Sequence, residues 1–185
     1  MEYHLTTPVT REDLAALRAG DAVLLSGTVY TARDAAHARL CAALDAGEAP
    51  PFPLEGSAIY YVGPTPARDG EVIGSAGPTT SGRMDSFSPR LLKLGQLLMI
   101  GKGRRSAAVK EAIVRCGGAY LGAVGGAGAL MAAGIKEAEL VCWEDLGCEA
   151  VRALRVENLP LTVIIDPQGN DLYDLGPEAY LASLK

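Results

Sequence analysis

Apolar and polar residues along the chain switch repeatedly between a helical and an extended period. Residues 10–17 carry Leu14 and Leu17 on one helical face, behind Thr10 as an N-cap and with Glu12 and Asp13 in the first turn. Gly20 ends that helix. Residues 22–25 form a short buried strand, and the β-branched and aromatic run 27–31 continues extended. Residues 32–44, rich in alanine and leucine, are strongly helical, with Leu40 and Leu44 in one apolar row beside Ala36 and Ala43. A proline-rich loop follows at 47–53, then a strand at 57–62. A helix runs from 86 to 94 with Pro89 in its first turn.

The alternation goes on: strand 96–100, helix 107–116 stopped by Gly117-Gly118, and a strand-like 119–123. Glycines at 125, 126 and 128 open a short helix, and residues 135–143 turn β-rich toward their end. Residues 149–156 alternate loosely and 161–166 read as a buried strand. A hairpin turn at 167–170 is expected to lead into an extended Asp171-Leu172-Tyr173, with a terminal helix at 177–184. Strands alternating with helices, without a linker or repeat, predict one α/β domain over residues 1–185, built on a mixed central sheet or partial barrel flanked by helices.

Composition narrows the function classes. The chain has 185 residues, 49% of them hydrophobic and 21% charged, enough for one domain with a substantial core. A net charge of −5 argues against a nucleic-acid face, which needs a basic surface. The amino terminus lacks a signal pattern and no apolar run is of bilayer length, so a cytoplasmic location without membrane contact is expected. The four cysteines, Cys41, Cys116, Cys142 and Cys148, form no close pair of the metal-binding kind, and buried reduced thiols are expected. No metal site is predicted within this chain.

Candidate chemistry gathers at strand-to-helix junctions. The stretch 75–85, Ser-Ala-Gly-Pro-Thr-Thr-Ser-Gly-Arg-Met-Asp, sets three adjacent hydroxyls, a guanidinium and a carboxylate on a backbone path fixed by glycine and proline. Arg33 sits at another junction, where a cation opposes the helix dipole. Pairing with Asp34 or Glu2 explains it as well as ligand binding does. Lys102, between two glycines, sits at a third junction. The loop lacks the spacing of a phosphate-binding P-loop, and its basic residues read equally as a solvated turn. Gly126-x-Gly128 lacks the rest of a dinucleotide fingerprint. Should the three junctions share one sheet edge, Arg33, Arg83 and Lys102 would clamp a dicarboxylate, with Thr79, Thr80 and Ser81 offering hydroxyls. No catalytic triad is legible. His37 reads as a packing or hydrogen-bonding residue, and Asp85 as a group that fixes the loop or an arginine. A clamp without a catalytic engine points to completion by another chain.

Gly77-Pro78-Thr79-Thr80-Ser81-Gly82-Arg83-Met84-Asp85, with residues 31–37 (Thr-Ala-Arg-Asp-Ala-Ala-His) before it and Gly101-Lys102-Gly103 after it, resembles the class I iron–sulfur fumarate hydratases. The resemblance is to their C-terminal domain, or to the separate β subunit of two-subunit fumarases and L(+)-tartrate dehydratase. It extends to Trp143-Glu144-Asp145-Leu146-Gly147 and to Asp166, Gly169-Asn170 and Leu172-Tyr173. It implies a swivelling β/β/α domain and reversible addition of water to a C4 dicarboxylate, fumarate/malate first and tartrate next. It implies a [4Fe-4S] cluster carried by an α subunit, in an α2β2 assembly. It assigns Arg33, Arg83 and Lys102 to substrate carboxylates and places Thr79 next to the reacting carbons, in proton transfer. Thr80, read from the stretch itself, either binds substrate through its hydroxyl or serves as an N-cap-like, backbone-bonding residue. The base is implied to come from the partner, so Asp85 does not inherit that role. Ser81 stands where some members have alanine. A non-catalytic scaffold or a stand-alone anion-binding domain that keeps the carboxylate pocket is the alternative reading.

Overall fold

Two long strands organise the sheet. The computed structural model describes residues 1–184. In chain order its elements are β1 (Glu2–Thr6), α1 (Arg11–Leu14), β2 (Ala22–Thr31), α2 (Asp34–Asp45), β3 (Ala58–Tyr60), α3 (Ser88–Lys93) and β4 (Leu98–Gly101). They continue with α4 (Ala107–Cys116), β5 (Ala119–Gly122), α5 (Gly128–Ala133), β6 (Ile135–Cys142), β7 (Val151–Ile165) and α6 (Leu172–Ser183). Short 3-10 turns occupy Ser81–Met84 and Glu144–Glu149.

Strands β2, β3, β4 and β5 lie side by side and parallel. β7 runs antiparallel to β5 and also to β2, which closes these five strands into a ring. β1 extends one edge of β2, and β6 extends β7. This closed mixed sheet, flanked by helices, is the partial barrel expected from the alternating pattern.

Side-chain alternation divides the core in two. Leu25 and Val29 of β2, Tyr60 of β3, Ile100 of β4, Leu121 of β5 and Leu154 of β7 fill the inside of the ring. Ile59, Met99 and Tyr120 point the other way, under Leu40 of α2, Leu91 of α3 and Ile113 of α4. Burying each such side chain is worth about 1.5–3 kcal/mol, so both faces of the parallel strands contribute and neither is left to solvent.

Three local expectations are corrected. Residues 151–165 form one strand rather than two. The strand runs on through Asn158, with φ 49°, and through Pro160, which lacks an N–H. Residues 157–161 have a neighbouring strand on the β2 side alone, because β6 pairs only to Val156 and β5 only from Thr162, and a proline is tolerated there. Residues 171–173 do not continue a hairpin. A single bridge joins Ile165 to Asp171, whose side chain then accepts the Tyr173 N–H and starts α6 five residues before Pro177. The cysteines are also less buried than expected: Cys116 is buried, Cys41 and Cys142 are half-buried, and Cys148 is exposed.

Candidate active site

Because β2, β3, β4 and β5 are parallel, the segments that leave their C-terminal ends share one edge of the sheet. Arg33 and Asp34 follow β2, Tyr61 to Gly63 follow β3, and Lys102 follows β4. The stretch 78–84 returns to the same edge. The Thr79 N–H donates to the Tyr61 carbonyl at 2.7 Å, and the Ser81 N–H donates to the Lys102 carbonyl at 2.9 Å. Isolated bridges pair Val62 with Pro78 and Thr80 with Lys102. The hydroxyl-rich stretch is thus stitched in as an irregular extra strand, with Thr79 and Ser81 held by backbone bonds and Thr80 between them.

The three cations differ in their surroundings. Arg33 is the N-cap of α2 but makes no capping bond. Its Nη2 forms an ion pair with Glu149 Oε1 at 3.0 Å, and its Nε lies 3.9 Å from Asp34 Oδ1. Its partner is Glu149, not Glu2. A Cβ on Gly63 would fall 2.8 Å from Arg33 Nη1, so the guanidinium packs against the glycine backbone and a side chain there would displace it. Arg83, on the 3-10 turn, donates from Nη2 to Asp34 Oδ2 at 2.5 Å. Asp34 therefore stands between the two arginines. Lys102 is exposed, and among the described residues no hydrogen bond or ion pair holds its ammonium. With Thr80, Gly125, Ile164 and Tyr173 it lines an open cleft of about 530 Å³. The structure joins Arg33, Asp34 and Arg83 directly, and joins Thr80 to Lys102. It places no direct contact between the lysine and the arginines.

Beneath this edge lies a polar network. Arg105, only 5% exposed, donates from Nε to Asp85 Oδ1 at 2.6 Å and from Nη2 to Ser88 Oγ at 2.7 Å. Its Cζ lies 5.4 Å from the Tyr61 ring centre and 5.1 Å from that of Tyr120. Burial pulls the Arg105 pKa down, but Tyr61 and Asp85 outweigh it and the net shift is upward. The other oxygen of Asp85 accepts the Ser106 N–H at 2.6 Å. Asp85 thus ties the 3-10 turn to the loop that carries Lys102. Ser81 is fully buried against the Tyr120 hydroxyl at 2.9 Å, and Tyr120 donates on to the Gly103 carbonyl at 3.0 Å. A Cβ on Gly101 would meet Ser81 Oγ at 2.0 Å, so the serine packs directly on the glycine backbone. Ser81 serves the scaffold, while the Thr79 hydroxyl is left without a partner among the described residues.

His37 is fully buried, and its Nδ1 meets the Arg33 carbonyl at 2.8 Å. Burial pushes its pKa down to about 4. It holds the turn before α2 and is unsuited to act as a base. The WEDLGCE segment, residues 143–149, packs on α2: Arg39 forms two bonds to Asp145, at 2.7 and 2.8 Å, and lies 5.8 Å from the Trp143 ring centre. This placement brings Glu149 to Arg33.

Sequence reasoning missed Glu149, the reach of Asp34 to Arg83, and the burial of Arg105, which had the look of a solvated helix-start residue. The Gly-Lys-Gly-Arg-Arg-Ser run does hold an arginine directly before a helix, but nothing local tells which of its cations turns inward.

Among the described residues no three His, Cys, Asp or Glu side chains form a group able to hold a metal ion. The cysteines lie on α2, α4, β6 and the 3-10 turn at residues 144–149. This donor set does not fit an iron–sulfur cluster.

Residues 1–176 match the family described as Fumarase C-terminus. The chain is 36% identical over 177 residues to the L(+)-tartrate dehydratase subunit beta of Escherichia coli, covering 93% of this chain and 87% of that one. It is 42% identical over 151 residues to the aerobic class I fumarate hydratase of the same organism, covering 80% of this chain and 28% of the relative. To fumarate hydratase 2 of Leishmania major it is 40% identical over 165 residues, covering 88% and 29%. The chain thus spans under a third of the fumarate hydratases it matches and most of the tartrate dehydratase subunit. On the family match across nearly its whole length, the chain belongs to the Fumarase C-terminus family.

Proposed function

We propose that this chain is the β subunit of a two-subunit hydro-lyase. It would supply the carboxylate-binding half of a site that adds or removes water on a C4 dicarboxylate, with fumarate/malate preferred and tartrate next. The observation that carries this reading is the gathering of Arg33, Thr79, Thr80, Arg83 and Lys102 on one edge of the parallel strands. The partner is read as an α subunit bearing the [4Fe-4S] cluster, assembled as α2β2 in the cytoplasm. The name of the E. coli tartrate dehydratase subunit supports a second subunit, and the scattered cysteines here support placing the cluster there. Residues 1–185 act as a single β-subunit domain in this account.

The chemistry assigned to this chain is electrostatic. Planar guanidinium groups receive a carboxylate through paired N–H donors, and the Lys102 ammonium adds a compact charge for the second carboxylate. When malate loses a proton from the carbon beside one carboxylate, negative charge builds on that carboxylate. Cations already in place stabilise it without reorganising. The hydroxyl on the neighbouring carbon then takes up a proton and leaves as water, its C–O bond breaking as the electron pair left by the first proton forms the double bond. Thr79 holds or passes a proton through its Oγ1, Thr80 lends a hydroxyl to orientation, and the base belongs to the partner. His37 and Asp85 are already committed to the scaffold.

The test is reconstitution. This chain and its α subunit are purified separately, mixed under anaerobic conditions, and assayed with fumarate, malate and tartrate. Turnover only in the mixture is expected. A mixture with an intact cluster that turns over none of the three would overturn the reading.

A further inference from the structure

Two buried polar atoms beside the clamp are without hydrogen-bond partners: Arg33 Nε and Asp34 Oδ1. They face each other at 3.9 Å, too far for a hydrogen bond. The second oxygen of the same carboxylate holds Arg83 Nη2 at 2.5 Å. One acid therefore touches one arginine and faces the other. We propose that Asp34 is the positioning residue of the carboxylate site. It fixes the Arg83 guanidinium by one nitrogen, beside an Arg33 that Glu149 holds, so that the two forks stand as a pair with N–H groups free for a substrate carboxylate. This proposal rests on the hydro-lyase reading above.

The geometry favours positioning over a plain surface ion pair. Asp34 is the first residue of α2, where the dipole stabilises an acid. Its backbone is set by the turn that the His37 N–H closes on the Arg33 carbonyl at 2.8 Å. The carboxylate is thus short-tethered on a fixed element. Arg83 is the opposite case: a long side chain, 47% exposed, on a 3-10 turn. Left alone it would sample many rotamers. Asp34 takes one of its five N–H donors, which leaves most of the fork available. On the far side, Glu149 holds Arg33 Nη2 at 3.0 Å and accepts the Ala35 N–H at 3.2 Å, so Arg33 is braced from behind while its Nε is unsatisfied. A buried N–H donor without an acceptor, beside a restrained second arginine, matches what an incoming carboxylate oxygen supplies.

The test is a double-mutant cycle in the reconstituted enzyme, reading kcat and KM for the dicarboxylate. Asp34→Ala is expected to lower kcat/KM by roughly tenfold to a hundredfold, mostly through KM, as a misplaced binding group does. Asp34→Asn, which keeps an acceptor for Arg83, recovers most of that loss. On an Arg83→Ala background, Asp34→Ala costs nothing further, within about twofold, because the residue acts through Arg83. Equal losses on both backgrounds, or an Asn variant as poor as Ala, overturn the proposal.

A second readout does not depend on turnover. In the 15N-labelled chain within the complex, the Arg83 Nη hydrogens are expected in slow exchange, and Asp34→Ala releases them. Freely rotating Arg83 in the unsubstituted protein overturns the role of Asp34 even where turnover is normal. Slow Arg83 hydrogens in a complex that turns over no dicarboxylate support the hold by Asp34 and count against the hydro-lyase reading instead.

Discussion

Asp85→Asn tests the scaffold under the site with the smallest change in shape. Both oxygens of Asp85 accept, one from Arg105 Nε and one from the Ser106 N–H, each at 2.6 Å. Asparagine offers a single acceptor, so either flip sets its NH2 against an N–H donor. The Arg105 side chain has no exposed surface and that of Asp85 only 18%, so water does not make good the loss. Breaking a buried pair costs about 3–5 kcal/mol. One hydrogen bond survives, and the bond from Arg105 to Ser88 remains, which places the expected loss near the lower end, about 3 kcal/mol. With a urea slope of about 2 kcal/mol per molar, that moves the unfolding midpoint down by roughly 1.5 M. The control is Asp45→Asn, which weakens the 2.7 Å pair with Arg90, where the side chains are 38% and 70% exposed. Such a pair is worth less than about 1 kcal/mol. Urea titration of the isolated chain, followed by circular dichroism, measures both variants. A loss in Asp85→Asn no greater than in Asp45→Asn would refute the argument that Asp85 is the counter-ion of a buried arginine.

Two further predictions concern a histidine and a threonine. Because burial holds His37 near pKa 4 when folded, against about 6.5 when unfolded, the unfolded chain binds a proton that the folded chain refuses between those values. Stability should fall as pH drops from about 6.5 toward 4, by up to roughly 3 kcal/mol, and His37→Asn should flatten that slope. An unchanged slope in the variant contradicts it. Thr79→Val keeps the side-chain shape and removes the hydroxyl, so in the reconstituted enzyme kcat should fall at least about tenfold while KM moves little. A raised KM with kcat preserved would assign Thr79 to binding alone.

The legible part of this molecule was its local part. Ala107–Cys116 and β4 announced themselves by composition and by flanking glycines, and the site stretch 77–85 by its hydroxyls and arginine. What closes the ring was less visible, because β7 carries an Asn-Leu-Pro sequence that reads as a break and is tolerated only where one side of the strand has no neighbour. The start of α6 was lost to competition between a turn signal and the capping side chain of Asp171. The electrostatics of the site were hidden for a different reason. Asp34 and Arg83 are 49 residues apart, and Arg33 meets Glu149 from the far end of the chain. Such pairs depend on which strand ends share an edge. Cysteine burial was misjudged because Cys142 and Cys148 lie on β6 and the segment after it, at the rim of the ring, not in its core.

The central claim is that the cations on this edge bind and stabilise a substrate carboxylate. Arg83→Ala and Lys102→Ala, each assembled with the proposed α subunit and assayed anaerobically on fumarate, test it most directly. Each should lower kcat/KM by about a hundredfold or more, as loss of a charge-stabilising donor does, while the chain keeps its unfolding midpoint. Turnover within about threefold of the unsubstituted enzyme in either variant would contradict the account.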